Sequence, residues 1–161
     1  MDNSEELVIG IKKSIADQLE EYLVKQNVEQ GCLIGSSCYL NQIDRFAPVP
    51  GIADENHFTP DMKAVNRQIE QWAKEGICFC GFIHSHPNGA RFLSQSDHQA
   101  VESWVCATKL PFLSFGVVDG IGHLELYLAY QETNGIVVIE LLTRISDSEE
   151  LEYVQWRNKN E

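Results

Sequence analysis

The sequence predicts an α+β fold, a single mixed β-sheet wrapped by about three helices, and three observations predict it. Short apolar runs bounded by Gly, Pro and Asn alternate with stretches in which apolar residues recur every three or four positions, so strands and amphipathic helices are interleaved. One run, Ile77 to His86, is apolar on both faces, as a central strand must be. The 161 residues suffice for one domain with a substantial core, and no repeat or low-complexity linker divides them.

In order, Leu7 to Ile11 reads as a strand, and Ile15, Leu19, Tyr22 and Leu23 then recur at helical spacing between Lys12 and Lys25. Gly31 to Leu40 and Asp44 to Val49 have strand-like content on either side of Asn41-Gln42, which predicts a hairpin. Pro48, Pro50 and Gly51 break the pattern, so 50–58 is read as an exit loop that could act as a flap over a site. Thr59-Pro60 is read as the cap and first turn of a second helix, whose apolar stripe is Met62, Val65, Ile69, Trp72 and Ala73. Ile77 to His86 follows as the central strand, stopped by Pro87 and Asn88-Gly89. A third helix starts at Ser94 with Ala100, Val101, Trp104 and Val105 on its buried side. Pro111 opens an extended segment to Val118, and Leu124 to Tyr130 and Ile136 to Ile145 make two strands around Glu132-Thr133-Asn134-Gly135. The domain is assigned to 1–145, and the acidic tail 146–161 is expected to form a short helix packing Leu151, Val154 and Trp156.

Twelve basic against twenty-four acidic residues give a formal charge of -12. With no basic patch, that charge argues against nucleic acid or an anionic membrane surface as partner. The apolar runs are too short to span a bilayer, and the acidic start Met1-Asp2-Asn3-Ser4-Glu5-Glu6 is unlike a secretory signal, so a cytoplasmic protein is expected. Cys32, Cys38, Cys78, Cys80 and Cys106 form no C-x-x-C pair and read as reduced core thiols.

The chemistry concentrates in His84-Ser85-His86-Pro87, followed by Ser94 and Asp97. Strand side chains alternate, so His84 and His86 project from one face while Ser85 points away. Hydrolytic zinc takes three protein ligands and keeps a fourth position open, and Asp97 at the start of the next helix supplies the third. Ser94-Gln95-Ser96-Asp97 also fits a helix-capping arrangement, which leaves the Ser94 hydroxyl free to face the metal. Cys78 and Cys80 share the parity of His84, but Cys80 lies roughly 13 Å along the strand, too far to join the same ion. The helical H-E-x-x-H arrangement and the deaminase H-x-E with P-C-x-x-C are both absent.

On these residues the chain resembles the JAMM or MPN-domain (JAB-type) zinc metalloproteases in their compact prokaryotic form. Their signature, H-(S/T)-H-P, six residues, then S-x-x-D, is matched without a gap by His84, Ser85, His86 and Pro87, Asn88 to Leu93, and Ser94 to Asp97. The resemblance implies a partly barrel-like, cytidine-deaminase-like sheet, one catalytic Zn2+ held by His84, His86 and Asp97, and an upstream glutamate as general base. Glu29 in Val28-Glu29-Gln30-Gly31 is that candidate, although only Gln30 separates it from Gly31. Strand parity alone would turn Glu29 away from the site, and a bulge or a shortened strand entry would restore its position. Ser94 is implied as the donor to the developing oxyanion.

The implied reaction is hydrolysis of peptide or isopeptide bonds at the carboxyl terminus of ubiquitin or a ubiquitin-like protein, with E1-like or E2-like conjugation proteins as further partners. The extended tail would add to an exposed sheet edge, walled by 41–49 or by the loop 88–92. Two other classes stand beside it, a metal-binding scaffold subunit without activity and a zinc hydrolase of a small amide conjugate. The complete ligand set argues against the first, and the width of the pocket separates the second.

Overall fold

A computed structural model describes residues 7–25, 27–53, 57–145 and 152–158. Strand β1 (Val8–Lys12) leads into helix α1 (Lys13–Val24), which buries Ala16, Leu19 and Leu23. Strands β2 (Gly31–Ser36), β3 (Gln42–Ile43) and β4 (Arg45–Val49) follow, then β5 (Gly51–Ala53) and β6 (Phe58–Pro60). Helix α2 (Met62–Lys74) precedes β7 (Cys78–Ser85), and helix α3 (Gln95–Thr108) follows it. The chain continues through β8 (Leu113–Val118), β9 (Leu124–Gln131), β10 (Val137–Leu141), β11 (Thr143–Arg144) and β12 (Tyr153–Arg157).

The fold is α+β with three helices among the described residues, as expected, but the strands divide between sheets. Six form one sheet in the order β10-β9-β8-β7-β2-β4, and four form another in the order β11-β12-β1-β3. The division arises inside two predicted hairpins. In the first, Gln42 and Ile43 leave the β2–β4 pair to lie parallel to β1. In the second, Thr143 and Arg144 leave the line of β10 to pair with β12. The expected tail helix is replaced by β12, which pairs antiparallel with β1 and buries Val154 and Trp156. Alternating burial along Tyr153–Arg157 is the period of a half-buried strand. Leu151 lies outside the described residues.

The six-stranded sheet is buried on both faces. One face packs α1 and the smaller sheet through Leu19, Leu23, Ile34, Ile83, Leu126 and Trp156. The other packs α2 and α3 through Leu33, Val65, Trp72, Val101, Val105 and Phe115. Strand β7 is central, antiparallel to β2 and parallel to β8, which is why it is apolar on both sides.

Its two faces exchange parity part-way along. Ile34 pairs with Gly81 but Gly35 pairs with Phe79, so Cys80 is the extra residue of a bulge. Gly81 permits it, with φ of 151° and the Ser114 carbonyl oxygen 1.7 Å from where a Cβ would stand. The bulge sends Cys80 to the α1 face beside Ile83 and leaves Phe79 on the α2–α3 face with Phe82. The expected shared parity of Cys80 and His84 is therefore overturned. Cys32 and Cys80 are buried thiols, with Cys80 pushed up to about 12 by burial, whereas Cys38, Cys78 and Cys106 are exposed rather than core.

Two helix expectations are also corrected. The cap of α2 is Asp61, whose carboxylate accepts from the Lys63 and Ala64 amides, while Thr59 and Pro60 belong to β6. The flap segment is a ribbon of β5 and β6, with 54–56 outside the described residues. On α3, Val101 and Val105 are buried as predicted, but Ala100 is exposed. Among the described residues no helix is long and apolar enough to cross a membrane.

Candidate metal centre

The carboxyl end of β7 carries His84 and His86 on the face toward α3, and both are buried. Their Nε2 atoms lie 2.9 Å apart, with the rings tilted edge to face. Asp97, in the first turn of α3, completes a triangle: Oδ1 is 3.3 Å from His84 Nε2 and Oδ2 is 3.1 Å from His86 Nε2. Three donors on one tetrahedral ion, each about 2.0–2.1 Å from it, stand about 3.3 Å from one another. The measured distances, which involve both oxygens of Asp97, are of that order, and two imidazole nitrogens so close require a proton or a cation between them. The donor set, two imidazoles and a carboxylate, suits zinc.

The loop after β7 prepares these groups. His86 Nδ1 lies 3.1 Å from the Ala90 carbonyl oxygen, which can only accept, so Nδ1 carries the proton and Nε2 faces Asp97. Ser94 caps α3 as predicted, its Oγ accepting from the Asp97 amide at 3.1 Å while its own amide donates to Asp97 Oδ2 at 2.8 Å. Ser94 is exposed, and its Oγ also lies 3.0 Å from Ser96 Oγ. Loop anchors that no local spacing signals come from distant strands. The Leu93 amide donates to Tyr127 Oη at 3.3 Å, and the Arg91 guanidinium meets Glu125 at 3.1 Å.

Glu29 is 3% exposed and faces the centre. Its carboxylate and the two histidine nitrogens all fall within 4.8 Å of one another. It reaches the histidines, as the resemblance implies, because Glu29 precedes β2 in register with β7. Gly31 lies opposite His84, and the Gln30 and Ser85 backbones meet, the Ser85 amide donating to Gln30 O at 2.9 Å. Continuing that register sets Glu29 opposite His86, on its face. No bulge is needed, since two positions from Gly31 preserve its parity. Ser85, pointing away as predicted, accepts from the Gln30 amide through Oγ at 2.9 Å and holds this approach. Gly31 itself must lack a side chain, because a Cβ there would stand 2.1 Å from the Phe82 ring.

The electrostatics follow from this packing. Burial raises the Glu29 pKa, against the lowering influence of His84 and His86. Burial also opposes charge on His86, but the Asp97 hydrogen bond and charge outweigh it and raise its pKa. For Asp97 burial is again the largest influence, and the hydrogen bonds from both histidines together overcome it, holding the carboxyl far below the usual range.

The fold and this cluster define an α+β domain with a buried histidine–carboxylate cluster that could hold a metal ion. A family model described as prokaryotic homologs of the JAB domain matches residues 26–128, which include Glu29 and the entire histidine motif. The chain belongs to that family, of which some members are metalloproteases. Among solved structures, the solution structure of a Desulfitobacterium hafniense protein is similar at a TM-score of 0.60 with 17% identity, covering 88% of this chain and 96% of that one. A Salinibacter ruber protein solved in solution gives a TM-score of 0.52 with 14% identity, covering 88% and 94%. These two similarities concern the fold. No curated protein matches the chain.

Proposed function

We propose that this protein is a zinc-dependent metalloprotease that hydrolyses peptide or isopeptide bonds at the carboxyl terminus of ubiquitin or a ubiquitin-like modifier, in the cytoplasm. The observation that carries the reading is the triangle of His84 Nε2, His86 Nε2 and Asp97 with the buried Glu29 carboxylate beside it. His84, His86 and Asp97 would hold the ion. Zinc in such a site acts as a Lewis acid and brings the pKa of water toward about 7.

The remaining steps belong to side chains of the chain. Glu29 takes a proton from the attacking water on its carboxylate and delivers it to the leaving amine, which departs only when protonated. Its raised pKa brings it nearer the neutral range in which one group both accepts and donates. Ser94 Oγ accepts from the Asp97 amide, and with Ser96 Oγ donating in their mutual contact its own proton is left for an oxyanion formed above the helix start. An extended modifier tail can reach the centre along β4, one of the two edge strands of the six-stranded sheet, which carries Pro48 as edge strands do. An activating or conjugating protein is the expected source of the substrate.

The test is the purified chain loaded with zinc and given a fusion of a ubiquitin-like modifier. Cleavage at the modifier's carboxyl terminus is expected. Glu29→Gln should retain the metal and lose about a hundredfold or more of the rate. Full activity in Glu29→Gln would remove the base assignment, and a zinc-loaded wild type inert toward modifier fusions would favour the scaffold reading.

A further inference from the structure

On the side away from Asp97, the His86 ring is held by the Ala90 carbonyl oxygen, 3.1 Å from Nδ1, and the position of that carbonyl sets the direction of Nε2. Burial does not secure it, because every residue from Asn88 to Phe92 is exposed. The loop begins firmly: the Gly89 amide donates to the His86 carbonyl at 3.0 Å, and the Ala90 amide donates to Asn88 Oδ1 at 3.1 Å. The residue after Ala90 is Arg91, whose guanidinium meets two carboxylates from distant segments. Its Nη2 lies 3.1 Å from Glu125 Oε1 on β9, and its Nε lies 3.9 Å from Oδ2 of Asp119, just past the end of β8. Asp119 is a prepared partner. It is 4% exposed, and its Oδ1 accepts from the Ile121 and His123 amides at 3.0 and 2.9 Å, which turns Oδ2 toward Arg91 and, at 3.6 Å, His123 Nδ1. A carboxylate so buried needs a counter-charge. The turn that carries it also presses on the loop, since a Cβ on Gly120 would stand 3.4 Å from the Pro87 carbonyl oxygen.

We infer that Arg91 is a positioning residue of the histidine–carboxylate cluster: bridging Glu125 and Asp119, it fixes the loop at Ala90 and so aims the His86 ring. This deepens the metalloprotease reading and rests on its metal site. Arginine suits the task because Nε and Nη2 are held in one planar fork and meet both carboxylates at once, whereas a lysine ammonium is a single point charge. An exposed ion pair ordinarily adds little to folding stability. Here no buried side chain secures the loop between Asn88 and Phe92, so the same contact decides local geometry. The consequence is a residue whose loss is felt in metal binding and hardly in folding.

The readout is metal binding by the full chain, independent of turnover. Zinc affinity is measured by competition titration, metal-free stability by chemical denaturation, and the His86 Nδ1 proton by histidine-ring NMR of the zinc-loaded chain. Arg91→Ala should weaken zinc binding about tenfold, leave the metal-free midpoint unchanged, and speed exchange of the Nδ1 proton about tenfold. Arg91→Lys, which reaches one carboxylate at a time, should lose only about threefold. Glu125→Gln should also weaken binding, and the double variant Arg91→Ala/Glu125→Gln should lose no more than Arg91→Ala alone, because both act through one contact. Lys25→Ala, which breaks the exposed pair with Glu21 beside α1, should bind zinc as the wild type does. Wild-type affinity in Arg91→Ala, losses that add in the double variant, or an unchanged Nδ1 proton would overturn the assignment. So would a fall in the metal-free midpoint of Arg91→Ala large enough to account for the whole loss. A wild-type chain that binds no zinc would instead overturn the metal site, and the role of Arg91 with it.

Discussion

Asp97 uses one carboxylate for two purposes: Oδ2 accepts the Ser94 amide that starts α3, and both oxygens face the histidine nitrogens. These purposes separate on substitution. Asp97→Asn keeps an acceptor for the cap but loses the charge, so zinc affinity in a competition titration should fall at least about tenfold with little change in thermal stability. Asp97→Ala should lose the affinity and also about 1 kcal/mol of stability. Protons compete at the same atoms. The pKa of His86 is raised above 6.5, so without metal its proton adds stability that is fully present below about pH 6.5 and is lost as pH rises through the raised value. Asp97 is lowered, and its contribution is present above about 3.8 and lost as pH falls toward its depressed pKa. Zinc must displace the His86 proton, so calorimetry should show proton release on binding below that raised pKa, and affinity should weaken by about tenfold per proton for each pH unit lost there. Invariant affinity between pH 8 and pH 6 would place the ion elsewhere. The meeting of His84, His86 and Asp97 was legible in sequence because strand parity and a helix start are local. The orientation of Glu29 is not legible locally, because it depends on which residue of β7 it faces, a register 55 positions away at the Gln30–Ser85 contact.

At the scale of the element, β7 is two strands of opposite parity joined at Gly81. The bulge aims Phe82 and His84 at α3 and Cys80 at α1, and it depends on a backbone that only glycine adopts without strain. Gly81→Ala places a methyl carbon against the Ser114 carbonyl and should cost about 2–3 kcal/mol, measured as a lower denaturation midpoint at unchanged slope. A wild-type midpoint would mean that the strand runs without the bulge. The apolar run itself announced a buried central strand, but two consecutive apolar faces conceal a change of parity, so nothing in the pattern marked Cys80 as the extra residue. Helix α3 illustrates the converse. Its start was readable in Ser94 and Asp97, and its stripe was correct at Val101 and Val105, while Ala100 departed because the fold leaves a cavity there.

Across the whole molecule, the smaller sheet closes the face opposite the metal centre, and its second strand in spatial order comes from the far end of the chain. β12 lies between β11 and β1, with Trp156 opposite Ile9 and 1% exposed. Trp156→Ala should therefore cost about 3–5 kcal/mol in chemical denaturation, as for a core residue, and a surface-like loss below about 0.5 kcal/mol would show that the strand does not pack. Tyr153 to Arg157 was assigned to a helix because four or five residues with apolar positions two apart carry too little pattern to separate the two periods, and pairing with β1 decides between them. By itself the sequence determined the order of the longer elements, the α+β class and the two-histidine, one-aspartate cluster, since each depends on residues within one turn, one strand or one short loop. Only the tertiary structure decided the division of the strands among separate sheets, the inward orientation of Glu29, the parity change at Gly81 and the cavity beside His84 and Asp97. Each of these is set by hydrogen-bond register or packing between segments distant in the chain, where local propensity is silent.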